Sequence, residues 1–125
     1  MMWNKSCISL GIDSCAVKGD INAPSIITPT SGSSGILVSA VLTIIASAFV
    51  AFNSSYLSTD FEIRTVAGGS GVLAWSANSS VNLTATVPLL TLTLNTQYFV
   101  RARHLGTGGN TSNWSVDNSF TTSII

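Results

Sequence analysis

Residues 36–52, ILVSAVLTIIASAFVAF, form the longest uncharged apolar run in the chain, and their reading decides the fold. The run of seventeen residues lies at the lower limit for a membrane-spanning helix. It carries Ser39, Thr43 and Ser47, and no basic residue flanks it to set an orientation. Read with period two, Ile36, Val38, Ala40, Leu42, Ile44, Ala46, Ala48 and Val50 share one parity, and every hydroxyl falls on the other. A half-buried strand produces that pattern. The hydroxyl spacing of four would also suit one stripe of a helix, so length and flanks, not periodicity alone, favour the strand.

Outward from this run, the chain splits near Ala23-Pro24. Residues 1–22 read as an N-terminal arm with little periodicity, and residues 23–125 read as short β-type runs between Gly/Ser/Asn turns. A first edge strand is expected between Pro24 and Pro29, and a second, most buried one over Gly35–Phe49. Thr59–Thr65 alternates strictly, with Phe61 and Ile63 on one face and Glu62 and Arg64 on the other. A short strand is expected at Val72–Trp75 after a glycine turn. Another is expected over Leu83–Leu94, where Leu90, Leu92 and Leu94 alternate with Thr91 and Thr93. Tyr98–His104 alternates again with Tyr98, Val100 and Ala102 inward, and Ser115–Thr122 closes the sheet. About seven strands in about 100 residues describe an all-β sandwich.

Composition bounds what such a domain does. The 125 residues are 46% hydrophobic and 8% charged, with five basic and five acidic groups and a net charge of zero. Charged residues usually make up about a quarter of a soluble domain. A neutral chain has no electrostatic grip on nucleic acid or on an acidic membrane surface, so neither is expected as a partner. Neither net nor mixed charge keeps copies apart, which points towards assembly.

Short signals add little chemistry. The N-terminus MMWNKSCISLGIDSC matches neither a signal peptide nor a lipoprotein box, so no export signal is read. Cys7 and Cys15 cannot complete a zinc site; they form a local disulfide or, as favoured here, remain reduced small hydrophobes. Sequons at Asn4, Asn53, Asn78, Asn82, Asn110 and Asn113 are expected by chance in so Asn- and Ser/Thr-rich a chain, and Lys18-Gly19-Asp20 reads as a polar turn. His104 is the only general base near neutrality and reads as an exposed or edge-strand residue. The acidic residues show no paired motif, no serine lies in a nucleophile elbow, and Gly68-Gly69-Ser70-Gly71 lacks the rest of a phosphate loop. No catalytic, metal or cofactor site is expected.

Three segments resemble fibronectin type III domains. Leu92-Thr93-Leu94-Asn95-Thr96-Gln97-Tyr98 is similar to their L-x-P-x-T-x-Y segment, with Leu94 where the proline stands. Ser112-Asn113-Trp114-Ser115, followed by Phe120-Thr121-Thr122, is similar to their S-x-W-S…F-T ending. Ala46–Phe49 and Ser58–Ile63 resemble the S-x-F…T-x-W/F-x-I pattern of a subgroup ending in Y-x-V-R-A-R-H, found in tailed-bacteriophage virion proteins. The likeness covers roughly Ala23–Thr122. No core tryptophan stands in the second strand, so Phe49, Phe61 or Trp75 is left to fill that space.

The resemblance implies a seven-stranded immunoglobulin-like sandwich, with Leu92 and Tyr98 forming a tyrosine corner. Pairing of the third and sixth strands would set Glu62 beside an arginine. It also implies a virion structural protein, a capsid decoration or cement protein present in many copies on the major capsid protein. A chain beginning at Met1 with one such domain reads as too short for a fibre. The arm, through Trp3, Cys7, Ile8, Leu10 and Ile12, is the expected docking segment. The alternative is a tail or fibre-associated adhesion module that reads a host glycan or receptor through Tyr56, Trp75 and Trp114. For each of these aromatics, core or edge packing is the simpler reading.

Overall fold

The protein is described by a computed structural model covering residues 20–123. The arm candidates Trp3, Cys7, Ile8, Leu10 and Ile12, together with Cys15, lie outside the described residues. In chain order the strands are β1 (Asp20–Ile21), β2 (Ile26–Thr28), β3 (Ser33–Leu37), β4 (Leu42–Ala46), β5 (Ala51–Phe52) and β6 (Tyr56–Val66). They continue with β7 (Ser70–Ser79), β8 (Thr84–Val87), β9 (Gln97–Gly106), β10 (Asn110–Thr111) and β11 (Asn118–Ser123). One sheet runs β3-β11-β9-β6-β7, with β10 on β9; the other runs β2-β4-β8. β1 and β5 form a separate short pair. The all-β sandwich expected from the sequence is present. Its main strands β2, β4, β6, β7, β8, β9 and β11 follow the seven expected segments in order.

The two strictest alternations make the centre. β6 pairs antiparallel with β9, with Phe61 opposite Ala102 and Ile63 opposite Val100. All four of these side chains are buried and meet Ile44, Val87, Tyr98 and Phe120 between the sheets. Each fully buried large apolar side chain contributes about 1.5–3 kcal/mol, so this cluster supplies the main driving force for the fold. Phe61 and Phe120 fill the central space, and Trp75 packs on its margin from β7.

The tyrosine corner forms without its proline. The Thr93 N–H donates to the Tyr98 hydroxyl at 2.8 Å, and the Thr96 N–H donates to the Thr122 hydroxyl at 2.9 Å. These bonds fix the turn, with Asn95 in a left-handed conformation (φ 50°) that asparagine tolerates.

Several expectations need correction. The apolar run is not one strand over Gly35–Phe49. β3 pairs parallel with β11 in the large sheet, whereas β4 pairs with β2 and β8 in the small one, so the chain changes sheets through residues 38–41. Leu83–Leu94 is not a continuous strand either. β8 ends at Val87 because Pro88 cannot donate to a ladder, and Leu90 turns to φ 65°. Of its three alternating leucines, Leu92 is buried, while Leu90 and Leu94 are exposed. The strand expected at Val72–Trp75 extends over the ten residues of β7. His104 is not exposed at all: it is fully buried. Asp20 and Ile21 belong with the sandwich through β1, so the arm ends before residue 22; Ile21 packs against Gly106, where an added Cβ would meet Ile21 Cδ1 at 2.9 Å.

Candidate functional site

Alternation fixes where the charges lie. Asp60, Glu62 and Arg64 share the outward parity of β6, and β9 sets Arg101 opposite Glu62 and Arg103 opposite Asp60. All three cations among the described residues therefore stand on one sheet face. Arg101 Nε and Arg64 Nε both donate to Glu62 Oε1 at 3.0 Å, and Arg103 Nε donates to Asp60 Oδ2 at 3.0 Å. Asn78 Nδ2, reaching across from β7, donates to Asp60 Oδ1 at 2.8 Å. Partial burial pushes the Glu62 carboxyl up, but the hydrogen bonds and charges of Arg64 and Arg101 outweigh it and hold it below the usual range. The arginine beside Glu62 follows the sequence expectation. The Asp60–Arg103 pair follows from the same parity rule applied one pleat further along.

Trp114 precedes β11 and lies over this face. Arg101 Cζ is 4.1 Å and Arg103 Cζ 4.6 Å from its ring centroid. Cation–π contacts of this kind contribute about 0.5–1 kcal/mol at exposed sites. The ring is thus engaged by the chain's own guanidinium groups. The β6–β7 hairpin tip closes over the same region: the Gly68 N–H donates to Asp117 Oδ2 at 2.6 Å. Gly69 (φ 76°) lies so near Arg101 that an added Cβ would meet its guanidinium at 2.7 Å. A groove of about 270 Å³ remains beside the ladder, lined by Asp60, Asn78, Arg103 and Trp114 among others.

The other two candidate aromatics serve the interior. Tyr56 meets Phe49 and His104 edge-on at 5.4 and 5.8 Å. Its hydroxyl lies 2.9 Å from Thr59 Oγ1. His104 Nε2 donates to the Ser47 carbonyl at 3.0 Å, leaving Nδ1 to accept from the Thr59 hydroxyl at 2.8 Å. Burial lowers the His104 pKa, partly opposed by the Ser47 and Ala48 carbonyls. A neutral imidazole joins β9 to the segment after β4. The sequence hid this role because one histidine at the end of an alternating run carries no sign of its partners. Trp75 packs against the core margin from β7. The three aromatics do not form one binding surface.

Two surfaces away from the ladder carry no charge. The turn after β3 and the loop after β8 are joined by the Leu90 N–H donating to the Val38 carbonyl at 2.8 Å. Leu37, Val41, Leu89 and Leu90 are exposed on these connections, Leu90 by 72%. Holding an exposed leucine at positive φ costs conformational energy, and such strain concentrates at functional positions. The second surface is the side of the sandwich between β7 and β8. β7 ends the large sheet and contains no charge or proline along its ten residues. An open groove of about 400 Å³ beside it is lined by Ala77, Ser79, Val81, Thr84, Ala85 and Thr86.

Among the described residues, no cluster of His, Cys, Asp and Glu is placed to hold a metal ion, and no helix is long and apolar enough to cross a membrane.

No family model and no curated protein matches the sequence. The fold is similar to part of a Streptomyces avermitilis α-L-rhamnosidase solved with L-rhamnose, at 16% identity and a TM-score of 0.56. That match covers 85% of this chain and 11% of the rhamnosidase chain. The fold is also similar to a myokine, at 13% identity and a TM-score of 0.55, covering 82% of this chain and 97% of the other. At these identities the likeness lies in the fold alone: an all-β sandwich shared by proteins of unlike activity.

Proposed function

We propose that this protein is a structural component of a bacteriophage virion, a capsid decoration or cement protein that docks on the major capsid protein in many copies. The distribution of charge carries the reading. Every described cation is committed to a carboxylate on the β6–β9 face, so the sandwich end at Leu37, Val41, Leu89 and Leu90 and the β7–β8 side are left uncharged. Surfaces of that kind associate readily, and an edge strand free of charge and proline is a template for strand addition. The arm supplies the anchoring segment, and the phage setting rests on the resemblance of residues 46–49, 58–63 and 98–104 to a subgroup of fibronectin type III domains. No nucleic acid, membrane or cofactor enters this reading.

Deletion of residues 1–19, which spares β1, tests it. The truncated sandwich is expected to fold and fail to occupy particles, as read by mass spectrometry of purified virions. Normal occupancy after deletion would overturn the docking role, and a copy number of only a few would place the protein in the tail.

The groove beside Trp114 favours a second reading, an adhesion module for a host glycan or receptor. Its polar lining, Asp60, Asn78 and Arg103, suits sugar hydroxyls, though both guanidinium contacts occupy the ring that would stack. Glycan-array binding abolished by Asn78→Ala and by Trp114→Ala, with folding intact, would establish it. The same experiment with Trp75→Ala should change nothing beyond stability.

A further inference from the structure

His104 is the one histidine in the chain, and its side chain has no exposed surface. It heads a run of hydrogen bonds that crosses the large sheet from β9 through β6 to the end of β7. The imidazole lies between the Ser47 carbonyl, 3.0 Å from Nε2, and the Thr59 hydroxyl, 2.8 Å from Nδ1. Thr59 stands opposite His104 on β6, and its oxygen is 2.9 Å from the Tyr56 hydroxyl. The Tyr56 hydroxyl in turn reaches the Ser79 carbonyl at 3.3 Å. Ser79 is the last residue of β7 and lines the groove beside β8.

Counting protons along this run gives two arrangements. With a neutral imidazole, Nε2 donates to Ser47 and Nδ1 accepts from Thr59. The Thr59 oxygen can then accept from Tyr56, and that shorter contact competes with Ser79 for the single phenolic proton. In the imidazolium both ring nitrogens are donors. Nδ1 now donates to Thr59, Thr59 turns its own proton to the Tyr56 oxygen, and Tyr56 is left with the Ser79 carbonyl as its acceptor. Every donor keeps a partner in both arrangements, as buried polar groups require.

We infer that His104, Thr59, Tyr56 and Ser79 form a proton-switched relay: uptake of a proton from solvent at the buried imidazole reverses the donors and fastens the end of β7 through the Ser79 carbonyl. The surroundings suit such a device. Asp60, Glu62, Arg64, Arg101 and Arg103 stand on the opposite face of β6 and β9. The segment after β4 brings only Ser47, Ala48 and Phe49 to the ring, and Ser112 takes the His104 N–H on its hydroxyl. Apart from His104, Tyr56 is the one titratable side chain in the cluster among the described residues. Burial opposes the charged ring, and the Ser47 and Ala48 carbonyls favour it, so the switch lies below the ordinary histidine value. Because Ser79 borders the β7–β8 groove, acid is registered on a surface that the imidazole itself does not reach. The inference uses no part of the virion reading.

NMR titration of the full-length protein tests the relay, and a single histidine gives a single imidazole to follow. In wild type the ring should titrate within the folded state. The Ser80 amide, bonded to the Ser79 carbonyl carbon, should shift with the same midpoint. Tyr56→Phe keeps the ring contacts with Phe49 and His104 but leaves the Thr59 hydroxyl no acceptor in the acid arrangement. Its His104 midpoint should fall by roughly half to one pH unit, the worth of one buried hydrogen bond, and Ser80 should no longer follow the ring. Thr59→Val should act in the same way, and Thr59→Ser should behave as wild type. In His104→Gln the Ser80 response should be absent, which separates it from titration of Asp60 beside Asn78. A Tyr56→Phe midpoint equal to wild type, a Ser80 amide indifferent to the ring, or a Ser80 response that survives His104→Gln would overturn the relay. So would a ring that takes no proton until the chain unfolds.

Discussion

On the outer face of β6 and β9, side-chain charges are matched within the chain: Glu62 holds Arg64 and Arg101, Asp60 holds Arg103, and both Arg101 and Arg103 lie over Trp114. On the side between β7 and β8, small uncharged residues border an open groove and a long edge strand that pairs with β6 on one side and, among the described residues, with no strand on the other. The first region is satisfied by its own residues, and the second is not. A sandwich with so few charges has its described cations bound to carboxylates on one face, so solubility is least protected where the backbone is most available. This contrast separates two sides of the sandwich that composition treats alike.

The largest effect should come from undermining the satisfied region from beneath. Phe61→Ala removes a buried ring directly under the charged ladder and should cost about 3–5 kcal/mol in chemical denaturation, a large share of the ~5–15 kcal/mol available to a domain. Acid should act next. His104 is held neutral, with its pKa lowered by burial, so the unfolded chain takes up a proton that the folded chain resists. Stability should therefore fall as pH drops below the ordinary histidine value, with a slope of at most about 1.4 kcal/mol per pH unit for one proton. The lowered Glu62 carboxyl acts in a separate, more acidic window: its contribution is intact above the ordinary carboxylate pKa and is lost as pH falls through its depressed value. His104→Gln should abolish the first slope and leave the second, as read from denaturant midpoints across pH.

Legibility in the sequence followed the same contrast. Where a residue's face alone decides its environment, alternation was sufficient: Phe61, Ile63, Val100 and Ala102 are inside, and Glu62 meets Arg101. Where the path of the chain decides, alternation misled. Residues 36–50 keep much of their parity, yet the backbone changes sheets after Leu37, and hydrophobicity carries no mark for that crossing. Leu90, Leu92 and Leu94 alternate as a strand would, but Pro88 had already ended the ladder. His104 was misplaced for another reason: its partners, Thr59 and Ser47, are brought to it by tertiary structure, as are the Arg101 and Arg103 contacts of Trp114.

A smaller effect is expected from the ladder itself. Glu62→Gln keeps shape and hydrogen-bonding capacity but leaves Arg64 and Arg101 without their shared carboxylate. The groups are partly exposed, so solvent screening should limit the loss to about 1 kcal/mol. Thermal unfolding at low and high salt checks the origin: the gap between wild type and variant should narrow as salt rises. A gap that does not respond to salt would assign Glu62 a packing role instead.

The smallest effect on folding should carry the most information about the open side. Val72 on β7 is 69% exposed and Val116, between β10 and β11, is 85% exposed. Changing either to lysine should alter folding stability by no more than about 0.5 kcal/mol, as surface substitutions usually do. Their consequences for association should diverge. A lysine on an edge strand obstructs pairing with another chain, because the added strand must pass beside a charge it cannot neutralise. Val72→Lys should therefore weaken self-association or particle occupancy, while Val116→Lys leaves both as they are. Equal behaviour of the two variants would mean that exposed apolar area, wherever it lies, drives association, and the distinction between an edge strand and ordinary exposed surface would collapse.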